Sequence, residues 1–321
     1  MVNTNSLRII YGDGSLGFKG NNFHYIFNYH RGGLESLVIN NKEWPYREPR
    51  PTFWRATTDN DRGSNFPKKS LQWLGADQFI DIAHIALKVS GKSIPVPFPP
   101  QNNSFSNQEW IQNSEIIFTY QTLTLPTSQV SIAYQIFAEG QIKVNVHYYG
   151  KAGLPELPVF GIRFILPTPA LWYEYDGLSG ETYPDRMAGA KRGTYHVEGL
   201  PVTPYLVPQD CGVHMQTTRL TIARNSVHDN SQQSYLSPFY LSFTNKTNPF
   251  AFSCLPYTAE ELENATHQEE LPPVHHTVVN ILGAVRGVGG IDSWGSEVES
   301  PYRISAAQDL QFSFQIMNST D

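Results

Sequence analysis

The chain has 321 residues, of which 40% are hydrophobic, 13% aromatic and only 16% charged, with a formal net charge of −6. That apolar content suffices for a sizeable core, and the excess of aromatics over charge leans toward β architecture. The acidic balance and the absence of a Lys/Arg cluster along the sequence argue against a nucleic-acid binder, and no run of 18 apolar residues is present to span a membrane.

The first ten residues, Met1 to Ile10, are polar and lack the apolar centre of a secretion signal, which points to a cytoplasmic protein. Phe23, Tyr25, Phe27 and Tyr29 then alternate with His24, Ile26 and Asn28, the period of a strand. Phe53-Trp54-Arg55-Ala56-Thr57-Thr58-Asp59-Asn60-Asp61-Arg62-Gly63 follows an aromatic pair with Arg and a polar run. This is poor strand material and good material for a structured loop, because Asp and Asn bond nearby backbone and Gly63 tolerates positive φ. Its two carboxylates and two guanidiniums need mutual pairing or an outside partner.

Lys68–Leu74 reads as one short helical turn, and 91–114, rich in Pro, Ser and Asn, as a long surface loop. Strand signals continue on both sides of that loop, so residues 1–321 are expected to form a single domain. A strand is predicted over 116–125. Ile132, Tyr134 and Ile136 lead through Ala138-Glu139-Gly140-Gln141 into Ile142, Val144, Val146 and Tyr148, a hairpin with a Gly-containing turn. Val159–Leu166 is a strand ended by Pro167, with further strands over 236–243, 277–282 and 310–317. Thr258-Ala259-Glu260-Glu261 is a capping box that opens a helix of two to three turns, ending near His267. With 24 Gly and 23 Pro punctuating many short elements, the expected fold class is all-β, a large antiparallel sandwich with one or two short helices.

Most familiar chemistry fails on inspection. Cys211 and Cys254 lack the spacing of a metal knuckle or a redox pair and read as free thiols, although a disulfide is conceivable. The sequons at Asn102, Asn245, Asn264 and Asn318 carry no meaning without secretion. Asp59, Asp61 and Gly63 do not fit a calcium loop, because Gly63 occupies a ligand position and Ser70 stands where the bidentate Glu belongs. His275 and His276 are adjacent and would point to opposite faces of a strand, so they cannot share a metal. Gly287-Val288-Gly289-Gly290 lacks the rest of a dinucleotide or phosphate-loop pattern and reads as a tight turn that presents Asp292-Ser293-Trp294-Gly295. From its position alone Trp294 could pack in the core, the commoner fate of a tryptophan, or offer an exposed face as a platform for a sugar ring. The carboxylate pairs Glu260/Glu261 and Glu269/Glu270 read as solvated helix surface. Asp59/Asp61 lie beside Arg55 and Arg62, which would hold them ionised and make them poor general acids. A complete glycoside-hydrolysing pair is therefore not expected in this chain.

Four stretches occur in one order: the Phe53–Gly63 run; Gly180-Glu181-x-Tyr183-Pro184-Asp185-Arg186; Pro204-Tyr205-x-x-Pro208-Gln209; and Gly287-Val288-Gly289-Gly290-x-Asp292-Ser293-Trp294-Gly295. Together with Pro256-Tyr257-Thr258-x-Glu260-Glu261-Leu262, they resemble the C-terminal domain of glycoside hydrolase family 2 β-galactosidases, from about Leu7 to the C-terminus. The resemblance implies a galactose mutarotase-like supersandwich. It also implies that the chain is the small subunit of a two-chain β-galactosidase acting on lactose and other β-D-galactosides. The barrel that holds both catalytic glutamates, together with Mg and Na, would belong to a large-subunit partner. No cofactor would be bound by this chain, and no catalytic residue would lie in it. Trp294 would form part of the active-site wall. Arg55, Asp59, Asn60, Asp61, Arg62, Gly63, Asp292 and Ser293 would line the active-site rim or the subunit interface, and 64–67 would align with a mobile loop at the mouth. Ile291, Ser179 and Asp210-Cys211 depart from the family pattern, where Asp, Pro and Glu are usual. A stand-alone carbohydrate-binding module or an aldose epimerase of the same fold is the alternative reading.

Overall fold

The computed structural model describes residues 6–107, 109–228 and 237–318. Residues 1–5, the Leu236 start of one predicted strand, and Ser319 and Thr320 of the Asn318 sequon lie outside the described residues.

Among the described residues, the strands form three antiparallel sheets. The largest has ten strands, in the order Arg192–Glu198, Trp172–Leu178, Arg219–Arg224, Phe239–Thr244, Leu310–Asn318, Ile142–Tyr149, Gln129–Phe137, Asn113–Gln121, Asp81–Val89 and Lys92–Ile94. Its central strands alternate buried and half-exposed residues: Ile116, Phe118 and Tyr120, then Ile132, Tyr134 and Ile136, then Val144, Val146 and Tyr148 all point to one buried face. Two smaller sheets cover that face. The six-stranded one runs from Lys42–Glu43 through Gly33–Ile39, Phe23–Asn28, Ser15–Lys19 and Leu7–Tyr11 to Trp110–Ile111. The five-stranded one contains Val213–Thr217, Phe250–Leu255, Thr277–Val285, Val159–Leu166 and Arg50–Thr52. Aromatic contacts lock the layers together. Phe27 meets Tyr134 at a centroid distance of 5.2 Å, Phe164 meets Phe243 at 5.2 Å, and Tyr148 meets Phe160 at 5.5 Å. The result is the large antiparallel sandwich expected from the alternation, in the supersandwich form that the resemblance implied.

The five-stranded sheet is also covered on its second face. Every residue of Phe250–Leu255 is buried, as a strand sandwiched on both faces requires. Small apolar clusters sit on that outer face: Tyr183, Val213, Ala251, Leu282 and Val285 in one, and Ala56, Cys211, Leu255 and Leu262 in another. They clamp the motif-bearing segments, which are otherwise irregular, onto the sheet. Cys211 and Cys254 are buried free thiols.

The 53–63 run is not wholly a loop: Asp59–Gly63 forms a short helix capped by Thr58. Asp61 N–H donates to Thr58 Oγ1 (3.1 Å), and Thr58 N–H donates to Asp61 Oδ2 (3.2 Å). Among the described residues there are thus three short α-helices rather than one or two, the others being Phe66–Lys69 and Ala259–Asn264. The last is shorter than expected. Thr266 N–H donates to the Glu270 carboxylate at 2.6 Å instead of continuing the helical ladder, and Ala265 is already extended. The long 91–114 segment contains structure of its own, including strands Lys92–Ile94 and Trp110–Ile111 at the edges of two different sheets.

Candidate functional site: the Trp294 wall

Trp294 stands on a loop after strand Thr277–Val285 and is 92% exposed, the most exposed large apolar residue among those described. An isolated loop would not hold an indole in one place, so the loop's anchors matter. At its base, Val288 N–H and Gly289 N–H donate to the two oxygens of Asp185, at 3.0 and 2.8 Å. Arg186 bonds the Gly289 carbonyl. Asn60 Nδ2 donates to the Val288 carbonyl at 3.0 Å. Behind these, Arg55 donates to the carbonyls of Arg286 (2.7 Å) and Gly287 (2.9 Å). At the tip, Asp292 accepts from Trp294 N–H (2.9 Å), Ser296 N–H (3.2 Å) and the Ser296 hydroxyl. Those three donors hold the Asp292 carboxyl below the usual carboxylate range, the hydroxyl contributing most.

Two glycines let the loop lie against the Asp59–Gly63 helix. Gly290 (φ +73°) and Gly295 (φ +81°) both occupy the left-handed region. A Cβ on Gly295 would sit 2.5 Å from the Gly63 carbonyl oxygen, and one on Gly290 would sit 2.6 Å from Asn60 Nδ2. The segment after the helix is tied in as well. Arg286, fully buried, stacks 3.9 Å over the Phe66 ring and pairs with Glu156 (3.2 Å) and Glu297 (3.5 Å). Glu297 also contacts Lys69.

The residues singled out from the sequence therefore separate into two depths. Arg55 (4% exposed) and Asp61 (2%) lie beneath the surface, joined at 3.0 and 3.1 Å through Arg55 Nη2, so they support the Trp294 loop from beneath rather than being exposed beside it. Asp59, Asn60, Gly63, Asp292 and Ser293 are exposed, with Arg62 half-buried. Arg62 pairs with Asp59 at 2.9 Å in the open, an arrangement worth little to stability. Asp185, Arg186 and Arg286 were not among the site residues expected from the sequence, although Asp185 and Arg186 belong to the second ordered stretch. Asp185 is unexceptional until folding brings it under residues more than a hundred positions away.

Deeper still, Asp210 accepts from the Tyr183 hydroxyl at 3.0 Å. Burial pushes its carboxyl up to about 7, against the pull of Arg55 and of that hydrogen bond. A carboxyl raised in the folded state favours folding most below its unfolded pKa of about 4, and that advantage disappears as pH climbs through about 7. Asp210→Asn keeps an acceptor for Tyr183 and removes the titration. We expect urea unfolding to show wild type losing stability relative to Asp210→Asn between pH 4 and pH 8, on the order of 2–4 kcal/mol. Parallel stability profiles for the two proteins would contradict this.

The arrangement can position and shield, and among the described residues the carboxylates beneath and beside the loop have partners. Asp61, Asp185, Asp292 and Glu297 are all engaged in hydrogen bonds or ion pairs. Among the described residues no group of three or more His, Cys, Asp or Glu could hold a metal ion, and no helix is long and apolar enough to cross a membrane.

Residues 19–316 match the family described as β-galactosidase small chain. The chain belongs to the β-galactosidase small-chain family. It is 60% identical over 317 residues to a β-galactosidase small subunit of Latilactobacillus sakei, covering 98% of this chain and 99% of that one. It is also 31% identical over 312 residues to a β-galactosidase of Streptococcus thermophilus and 33% identical over 317 residues to one of Halalkalibacterium halodurans. In both cases 97% of this chain is covered, but it spans only 27% and 28% of those longer proteins. Among solved structures, a galactose mutarotase-like protein from Lactobacillus casei aligns over 94% of this chain and 99% of its own, at 10% identity and a TM-score of 0.42, a level that carries no argument.

Proposed function

We propose that this chain is the non-catalytic small subunit of a two-chain β-galactosidase that hydrolyses lactose and other β-D-galactosides with retention. In this reading a large chain, which also holds Mg and Na, contributes the acid/base and nucleophilic glutamates. The galactosyl-enzyme forms and breaks there. This chain closes one side of the pocket and presents the Trp294 face to the sugar, excluding water and fixing the ring against the reacting groups. The observation that carries the reading is an indole left almost wholly in solvent yet anchored at both ends of its loop. Such an arrangement suits a surface completed by something else.

The test is a mixing experiment on a chromogenic galactoside with this chain alone, the large chain alone, and both. Strong activity is expected only in the mixture. Hydrolysis by this chain unaided would defeat the reading.

One observation favours the epimerase alternative. His147 Nε2 lies 2.8 Å from Asp309 Oδ2, and His147 and Tyr149 line a groove of about 650 Å³ on the outer face of the ten-stranded sheet. This is the paired His and carboxylate that the sequence did not reveal. Asp309 is mostly exposed, and the groove offers no second acid or base across from the pair, as ring opening and closure would need. Polarimetry of α-galactose with this chain alone decides the matter, and we expect no acceleration of mutarotation.

A further inference from the structure

A groove of about 700 Å³ lies well apart in sequence from the Trp294 loop, between strand Arg50–Thr52, the 77–79 turn and the start of helix Ala259–Asn264. Four arginines and no lysine line it: Arg31, Arg47, Arg50 and Arg163. Arg50 is directly opposite Arg163 across the strand pair, a like-charge neighbour that costs stability unless anions offset it. Arg163 has its anions, Asp77 at 2.6 Å and Glu260 at 3.3 Å, and Glu48 lies 3.7 Å from Arg31. Among the described residues neither Arg47 nor Arg50 forms an ion pair, in a chain whose net charge is −6. Phe79, 68% exposed, stands on the same rim.

We propose that this groove seats an acidic segment of the β-galactosidase large chain, whose carboxylates pair with Arg47 and Arg50 while an apolar side chain covers Phe79. The inference rests on the two-chain reading above. Arginine with an exposed aromatic is the composition of interface anchors, and a guanidinium binds a carboxylate through two parallel hydrogen bonds. A small free anion would use the charge but would leave Phe79 in water. The single-chain relatives are more than three times as long as the region they share with this chain, so a large remainder of such an enzyme is available to pack against this domain.

The test is titration calorimetry of this chain against the large chain of the same β-galactosidase, at about 50 mM and about 500 mM salt. Arg47→Glu and, separately, Arg50→Gln are each expected to weaken assembly about tenfold at low salt, with the difference shrinking at high salt. Arg192→Glu, at the far edge of the ten-stranded sheet, should assemble like wild type. Arg47 is exposed, so its variant decides the matter if Arg50→Gln does not fold. Wild-type affinity in the Arg47 variant, or a loss independent of salt, overturns the groove while leaving the two-chain reading intact. Failure of wild type itself to bind the large chain removes both. Binding of inorganic phosphate to the isolated chain through these arginines, with assembly unaffected, would make the groove a small-anion site and overturn the proposal.

Discussion

Replacing Trp294 with alanine is expected to cut kcat/KM of the assembled two-chain enzyme by a factor of about 30 to 1000, equivalent to about 2–4 kcal/mol of transition-state binding. Both KM and kcat should suffer. In the proposed reading the indole gives the galactose ring contact area in ground and transition states alike, so its removal raises KM. In the same reading it fixes the ring relative to the reacting glutamates of the other chain, so its removal also lowers kcat. Fold stability should be nearly untouched, because an indole 92% exposed contributes little to this chain's own core. Gly295→Ala separates face from placement. It leaves the indole present but drives a methyl toward the Gly63 carbonyl and strains a residue at φ +81°, so its loss should appear mainly in kcat. Wild-type efficiency in Trp294→Ala would remove the sugar-platform role.

Removing Asp61 is expected to cost the fold about 3–5 kcal/mol, because it takes from the buried Arg55 guanidinium the carboxylate bonded to it. The same substitution also strips the Thr58 amide of its acceptor and unravels the capping box of the Asp59–Gly63 helix. Urea unfolding of Asp61→Ala measures the cost, and a loss below about 1 kcal/mol would show that the pair is not held as described. The double variant Arg55→Met/Asp61→Leu replaces the pair with apolar volume and should regain much of that stability. Its activity in the mixture should nevertheless stay low, since the carbonyls of Arg286 and Gly287 lose the donor that anchors the Trp294 loop. Stability and activity would then part company, as expected of a residue that acts through the placement of another.

Several strands were legible from the sequence. Val159–Leu166 has the predicted bounds, and the hairpin of Gln129–Phe137 with Ile142–Tyr149 turns at the expected Gly140, whereas Leu7–Tyr11 and Trp172–Leu178 alternate and were not expected. Strands such as Phe250–Leu255, buried on both faces, carry no alternation and were not expected. The short Asp59–Gly63 helix was missed although Thr58 and Asp61 have capping-box spacing, because the helix is too short for any apolar period to mark it. The site was legible as motifs, not as geometry. Trp294 could have been core or surface on local grounds, and the partners of its loop, Asn60, Arg55 and Asp185, are distant in sequence.

By itself the sequence determined the all-β class, the family of this chain and the few residues around which a galactose-binding wall could be built. These follow from local alternation and from ordered motifs, both of which are properties of neighbours along the chain. Only the tertiary structure decided that the indole faces outward, that Arg55 and Asp61 work from beneath, and that two arginines with no ion pair among the described residues share one groove. Burial and charge pairing depend on which distant segments the sheets bring together, and no spacing along the chain encodes that.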